Sequence, residues 1–139
     1  MILLDTNVIS EPLKASSNQK VVAWINAQNI ETLYLSTIGL AELRFGIAAL
    51  PEGKRKDVLR SSLEQRVLPL FEGRILSFDI GASDAYATLR SKARAAGLAI
   101  APADAYIAAI VMTNGLSIAT RDVKPFIAAG LTVINPFDL

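Results

Sequence analysis

At 139 residues, with 14 Lys and Arg against 13 Asp and Glu and a net charge of +1, the chain has room for one domain with a real core and carries no overall charge that would announce a nucleic-acid partner. It contains neither cysteine nor histidine. That excludes disulfide frameworks, thiolate or imidazole metal sites, cysteine nucleophiles and the Ser-His-Asp triad, and leaves the chemistry to carboxylates, hydroxyls, amides, Lys and Arg.

The first ten residues, Met1 to Ser10, are an apolar run that stops on Asp5-Thr6-Asn7. A strand covered on both faces is continuously apolar, and in open parallel sheets ligands bind beyond the carboxyl ends of such strands, so the run reads as a buried strand that delivers Asp5 to an edge. The competing reading of Asp5 is a cap on a following helix. Because the apolar run is four residues long and ends on an acid, it does not read as a signal peptide, and no segment reads as a membrane span; the expected setting is soluble and cytoplasmic.

Glu11-Pro12 then breaks the pattern, and Ser16-Ser17-Asn18 precedes a short helix marked by Val21, Val22, Trp24 and Ile25. Leu33-Tyr34-Leu35 is a second strand, and Ser36 caps a helix over Ile38 to Leu50 whose main stripe is Leu40, Leu43, Ile47 and Leu50. Glu42 lies on the other side of that helix among Ile38, Phe45 and Ala49, so it reads as a carboxylate on a buried apolar face, where it would need a cation or a proton. Pro51-Glu52-Gly53 makes a turn into a helix over Lys54 to Leu68 that carries Lys54, Arg55, Lys56, Arg60 and Arg66. That basic concentration reads either as a solvated face or as a contact for a nucleic-acid backbone.

Arg74 to Phe78 is a third strand, with Asp79 capping a helix over Ser83 to Ala96 that Gly97 closes. A helix over Ala99 to Met112 follows, with Pro102 in its first turn and Asp104 as the only charge between Ala95 and Thr120. The helix dipole favours an acid there by under about 1 kcal/mol, less than an unpaired carboxylate costs in apolar packing. Ser117-Ile118-Ala119 is a fourth strand ending on Thr120-Arg121-Asp122, a short helix covers Lys124 to Ala128, and Leu131 to Ile134 is the last strand before Asn135-Pro136. Strands alternating with helices imply a parallel sheet with helices on both faces.

Four acids, Asp5, Glu42, Asp104 and Asp122, thus fall at strand ends or in first helical turns, positions that share one edge of such a sheet. At an effective dielectric near 20, close carboxylates repel by roughly 4 kcal/mol per pair, a cost that protons or cations must relieve. Oxygen-only donors select hard ions, Mg²⁺ or Mn²⁺ rather than zinc, and Mg²⁺ keeps waters for a substrate that is commonly a phosphate. If the four gather, nine acids face 14 Lys and Arg elsewhere, a balance of +5 that suits a polyanion. The 52% hydrophobic content and mean hydropathy of +0.39 predict apolar surface covered by a partner or a second copy.

These motifs resemble the PIN domain: Asp5-Thr6-Asn7 after a strand, Ala41-Glu42 early in a helix, Ala103-Asp104 opening another, and Thr120-Arg121-Asp122 after a strand. More narrowly, the chain from Met1-Ile2-Leu3-Leu4-Asp5-Thr6-Asn7 to Asn135-Pro136 resembles the VapC and FitB toxins of bacterial toxin–antitoxin pairs. The resemblance implies a single PIN domain over 1–139, a three-layer sandwich around a five-stranded parallel sheet. It also implies a homodimer, Mg²⁺- or Mn²⁺-dependent RNA cleavage, and restraint by an antitoxin that can carry the complex to DNA. Transferred to matched positions, Asp5, Asp104 and Asp122 hold metal directly or through water and Glu42 completes the acidic cluster. Thr6, Asn7 and Thr120 orient ligands or waters, and Arg121 contacts a phosphate or forms a structural salt bridge. One departure is Pro102, which stands where the relatives are expected to carry a small residue. The competing readings are a binding module with little turnover and a nuclease without an antitoxin. A phosphoacceptor domain is set aside, since Asp5 is followed by Thr6 and the last strand by Asn135-Pro136 rather than Lys.

Overall fold

The computed structural model describes residues 1–139. Its centre is a five-stranded, all-parallel sheet in the order β3-β2-β1-β4-β5, formed by β1 (Ile2–Leu4), β2 (Leu33–Ser36), β3 (Ile75–Leu76), β4 (Ser117–Ala119) and β5 (Val133–Ile134). β1 sits in the middle, with Leu3 paired to Tyr34 on one side and to Ile118 on the other. The chain winds outward from β1 through β2 to β3, then returns to lay β4 on the opposite flank. Strand order therefore reverses between β1 and β4, and the crevice beyond their carboxyl ends is where a fold of this class places its ligands.

The apolar opening run is explained by its position. Leu3 is fully buried in a core shared with α5 (Ile80–Ala95), α6 (Pro102–Thr113) and Phe126 of α7 (Lys124–Ala128). Leu4 points the other way, into a core with α1 (Thr6–Ile9), α2 (Gln19–Ala27) and α3 (Thr37–Ala48). Alternate residues of one strand thus serve two cores, which is why no polar position interrupts it. The expected three-layer arrangement with helices on both faces is the observed one.

Local chemistry sets the element ends. Ser36 caps α3 by accepting from Gly39 N at 2.9 Å, and Asp79 caps α5 by accepting from Ala82 N at 2.8 Å, so Asp79 is structural. Pro102 occupies the first position of α6, where its missing N–H costs nothing, and Asp104 keeps its place in the first turn.

Several boundaries differ from those read in the sequence. α5 begins at Ile80 rather than Ser83 because its cap is Asp79. The third strand keeps only Ile75–Leu76 of Arg74 to Phe78, being an edge strand paired on one side alone. The last strand is likewise an edge, and only Val133–Ile134 of the expected four residues pair. The expected Lys54 to Leu68 helix is α-helical over α4 (Lys54–Ser61), then relaxes through a π-helical turn at Ser62–Val67 and a 3₁₀ turn at Leu68–Phe71, which contains Pro69. The basic residues of this segment do not act as a block. Lys56 is buried and paired with Glu52 at 2.6 Å, while Lys54, Arg55, Arg60 and Arg66 stay exposed.

Several large apolar side chains stay exposed. Ile80 is 90% and Phe45 74% exposed. No helix is long and apolar enough to cross a membrane.

Candidate metal centre

Asp5 is the first residue beyond β1, its N–H still bonded to the Ala119 carbonyl of β4 at 2.9 Å, so the sheet itself places it. It does two jobs. As N-cap of α1 its Oδ1 accepts from Thr6 N at 2.9 Å, and its Oδ2 accepts from the Thr120 hydroxyl at 2.8 Å. Both readings of this residue, cap and edge acid, therefore hold together. The four-residue α1 went unseen in the sequence because four residues are too few to display a period.

Thr120, fully buried just past β4, is the hub that fixes the second strand end to the first. Its hydroxyl donates to Asp5 and accepts from Asp122 N at 3.1 Å and Asn7 Nδ2 at 3.4 Å. Asn7 Oδ1 in turn accepts from Arg121 N at 3.0 Å, which closes a network from α1 to the 120–122 loop. Thr6, Asn7 and Thr120 thus stand where short polar groups beside the acids were expected.

Glu42 arrives from α3. Thr6 Oγ1 donates to its Oε1 at 2.9 Å. The expectation that Glu42 is buried on an apolar face is wrong: it is exposed, as are Phe45 and Ala49 beside it, and of that apolar set only Ile38 is half-buried, against the core. Its link to the other acids runs through Thr6 rather than through burial. Gly39 permits the approach, since a Cβ there would lie 3.3 Å from Ser36 Oγ and 3.4 Å from Thr6 Oγ1. Its only sequence signal was a glycine inside a helical pattern.

Asp104 reaches the edge from the first turn of α6, half-buried, and Asp122 from the loop after β4, exposed. Burial pushes the Asp5 carboxyl above the usual range against the two hydrogen bonds that lower it, with Glu42 and Asp122 adding repulsion. Asp104 is raised as well, first by burial and then by Asp5 and Asp122. Asp5 thus feels Glu42 and Asp122, and Asp104 feels Asp5 and Asp122. None forms an ion pair, all four salt bridges of the molecule lying elsewhere.

Arg121 does not serve as the structural salt bridge considered from the sequence. Its guanidinium lies over the Phe137 ring, 4.5 Å from the centroid, an arrangement bridging sixteen residues that no local pattern encodes.

The donor set suits a hard divalent cation, being carboxylates, hydroxyls and an amide with no soft ligand. No three acidic side chains are gathered closely enough to grip one ion together. Mg²⁺ is ordinarily held through one or two carboxylates with several waters retained, so the spacing fits an ion bound partly through water.

Residues 2–130 match the PIN domain, and the chain belongs to that family. Within it, relatives matched along nearly their whole length include a plasmid stability protein, a VapC ribonuclease and the toxin FitB of Neisseria gonorrhoeae. The chain is 61% identical over 138 residues to the plasmid stability protein StbB of Pseudomonas syringae pv. tomato and 55% identical over 138 residues to the VapC ribonuclease Y4jK of Sinorhizobium fredii, covering 99% of each chain in both cases. It superimposes with a TM-score of 0.96 on a chain of FitAB bound to an IR36 DNA fragment, at 51% identity over 100% of this chain and 97% of that one.

Proposed function

We propose that the chain is a Mg²⁺- or Mn²⁺-dependent endoribonuclease, the toxin of a toxin–antitoxin pair, working on RNA in the cytoplasm. The observation that carries this is the placement of Asp5 at the end of β1, bonded to Thr120 whose hydroxyl also meets Asp122 N, with Glu42 joined to the same end through Thr6, Asp104 in the first turn of α6, and no cationic partner on any of the four. The names of the relatives, a VapC ribonuclease and a Fit complex, support the substrate and the pairing.

Asp5, Asp104 and Asp122 would hold the cation, directly or through its waters, and Glu42 completes the negative cluster. When bound, such an ion lowers the pKa of a water to make a nucleophile at neutral pH and stabilises charge on the phosphate. Thr120 keeps one Asp5 oxygen engaged and so fixes which lone pairs face the crevice, while Thr6 N holds the other oxygen. Thr6 Oγ1 orients Glu42 in the same way. Asn7 tethers the 120–122 loop and with it Asp122. Arg121, exposed and turned onto Phe137, would meet a substrate phosphate with its N–H groups.

An antitoxin would restrain this site. A groove of about 1260 Å³ runs from Thr6 and Glu42 along α3 to α4, walled by Leu43, Ile47, Leu50 and Leu59. An apolar segment laid into it would end at the acids, which suits an inhibitor that covers the edge. Homodimers carried to DNA by the antitoxin complete the reading.

Purified protein stripped of any partner should cleave defined single-stranded or structured RNAs when Mg²⁺ or Mn²⁺ is added and stop when the ion is chelated. No cleavage under either ion would overturn the reading. If the same preparation still bound an antitoxin tightly, it would favour a binding module with little turnover.

A further inference from the structure

A second concavity lies away from the groove, between the last two turns of α5 and the segment that leads into α6. It encloses about 500 Å³, with the buried Ala93 and Ile100 as floor and Arg90, Ser91 and Arg94 on the rim. The size is within the range of small-ligand sites.

Arg90 is held in place. Its Nη1 donates to the Tyr86 hydroxyl at 2.8 Å, and its guanidinium sits 5.5 Å from the centre of the Tyr86 ring. Tyr86 is itself fixed, stacked on Tyr106 at 4.8 Å and 15° and met edge-on by Phe78 at 5.9 Å. A guanidinium anchored at one nitrogen keeps its remaining donors aimed, which lowers the entropy lost when it grips an oxyanion.

Neither Arg90 nor Arg94 pairs with an acid. One helical turn apart, two like charges repel, and an anion between them removes that repulsion. The negative end of the α5 dipole accounts for Lys92 and Arg94 in the last turn equally well, but it does not account for the fixing of Arg90 or for the concave floor.

The position ties this pocket to the acidic edge. Asp104 lies four positions beyond Ile100, a span of at most about 14 Å along the chain. Tyr106, against which Tyr86 stacks, is two residues beyond Asp104 on the same helix.

We propose that this pocket is a phosphate subsite for the RNA strand as it leaves the acidic edge, Arg90 and Arg94 gripping a backbone phosphate one or two nucleotides from the cut. The inference rests on the ribonuclease reading and extends it to where the strand runs.

The test is the affinity of the full chain for a single-stranded RNA oligomer, measured with chelator present over a range of salt. Arg90→Ala and Arg94→Ala should each weaken binding roughly tenfold. Each should also flatten the log–log salt slope by about 0.7, the signature of one lost phosphate contact. Lys92→Ala removes the same charge from the same helix outside the pocket and should change both far less. Arg90→Lys keeps the charge without the fork and should fall between, and thermal melts report that each variant is folded. If Arg90→Ala and Arg94→Ala match Lys92→Ala, the subsite is overturned. Cleavage of the same RNA by wild type with Mn²⁺ is read in parallel. Its absence overturns the ribonuclease reading while leaving the binding result to stand or fall by itself.

Discussion

Asp104→Asn should sharply slow RNA cleavage and, in metal-free protein at neutral pH, make the fold slightly more stable. The two effects have one cause. Burial, then Asp5, then Asp122 raise the Asp104 carboxyl above its usual range, so the folded state disfavours its charge. An acid of this kind contributes stability in its protonated form, fully present below the unfolded value near 3.9 and lost as pH rises through the higher folded value. At pH 7 the ionised carboxylate is therefore a liability that Asn removes. Because Asp104 is only half-buried, solvent screening holds the gain under about 1 kcal/mol, a shift of a few degrees in melting temperature. The gap between wild type and variant should close near pH 4. Cleavage should meanwhile fall on the order of 10²–10³-fold, the scale on which losing one preorganised charge-stabilising group acts. Paired thermal melts at pH 7 and pH 4, beside single-turnover cleavage, check both halves.

Thr120→Val should cost both stability and activity. Valine nearly matches the shape of threonine, so no cavity opens, and the loss is of hydrogen bonds alone. The buried Asp5 carboxylate forfeits its 2.8 Å bond from the hydroxyl, and Asn7 and Asp122 N lose their acceptor. A bond to a charged group is worth about 1.5–3 kcal/mol, and the two other partners are near enough to solvent to recover theirs. The expected cost is thus about 2–3 kcal/mol in urea unfolding. Since the Thr120 bond holds the Asp5 carboxyl down, its loss should carry the acidic limb of the pH–rate profile to higher pH, with cleavage about 10–100-fold slower. Thr120→Ser keeps the hydroxyl and should restore both.

The acid positions were legible because each sits where a pattern breaks: Asp5 ends an unbroken apolar run, Asp104 is alone in a long uncharged stretch, and Asp122 repeats the strand-then-polar ending of Asp5. The parallel sheet followed from alternation, and its centre from β1 lacking any polar face. What failed was whatever depends on a neighbour distant in sequence. Glu42 stands among apolar residues on α3, but periodicity cannot tell whether such a face is covered, and Phe45 on it is 74% exposed. The edge strands β3 and β5 shrank because pairing on one side supports fewer residues than their apolar runs suggested. Lys56 leaves the basic face for a local reason instead, its pair with Glu52 four residues earlier across the turn at Gly53. The stacking of Arg121 on Phe137 is a tertiary fact with no local signature, whereas the anchoring of Arg90 by Tyr86 is an i,i+4 pair on α5 that the spacing alone offered.

The central claim is that carboxylates without cationic partners at the switch-point edge are a divalent-cation site, and the melting temperature of partner-free protein titrated with Mn²⁺ tests it most directly. Binding to the folded state alone raises stability by about 2.7 kcal/mol at a hundredfold excess over Kd. Wild type should climb accordingly and fall back on chelation, while Asp104→Asn, already more stable without metal, should climb far less. A wild-type melt that Mn²⁺ leaves unmoved, or one that moves equally in both proteins, would contradict the claim.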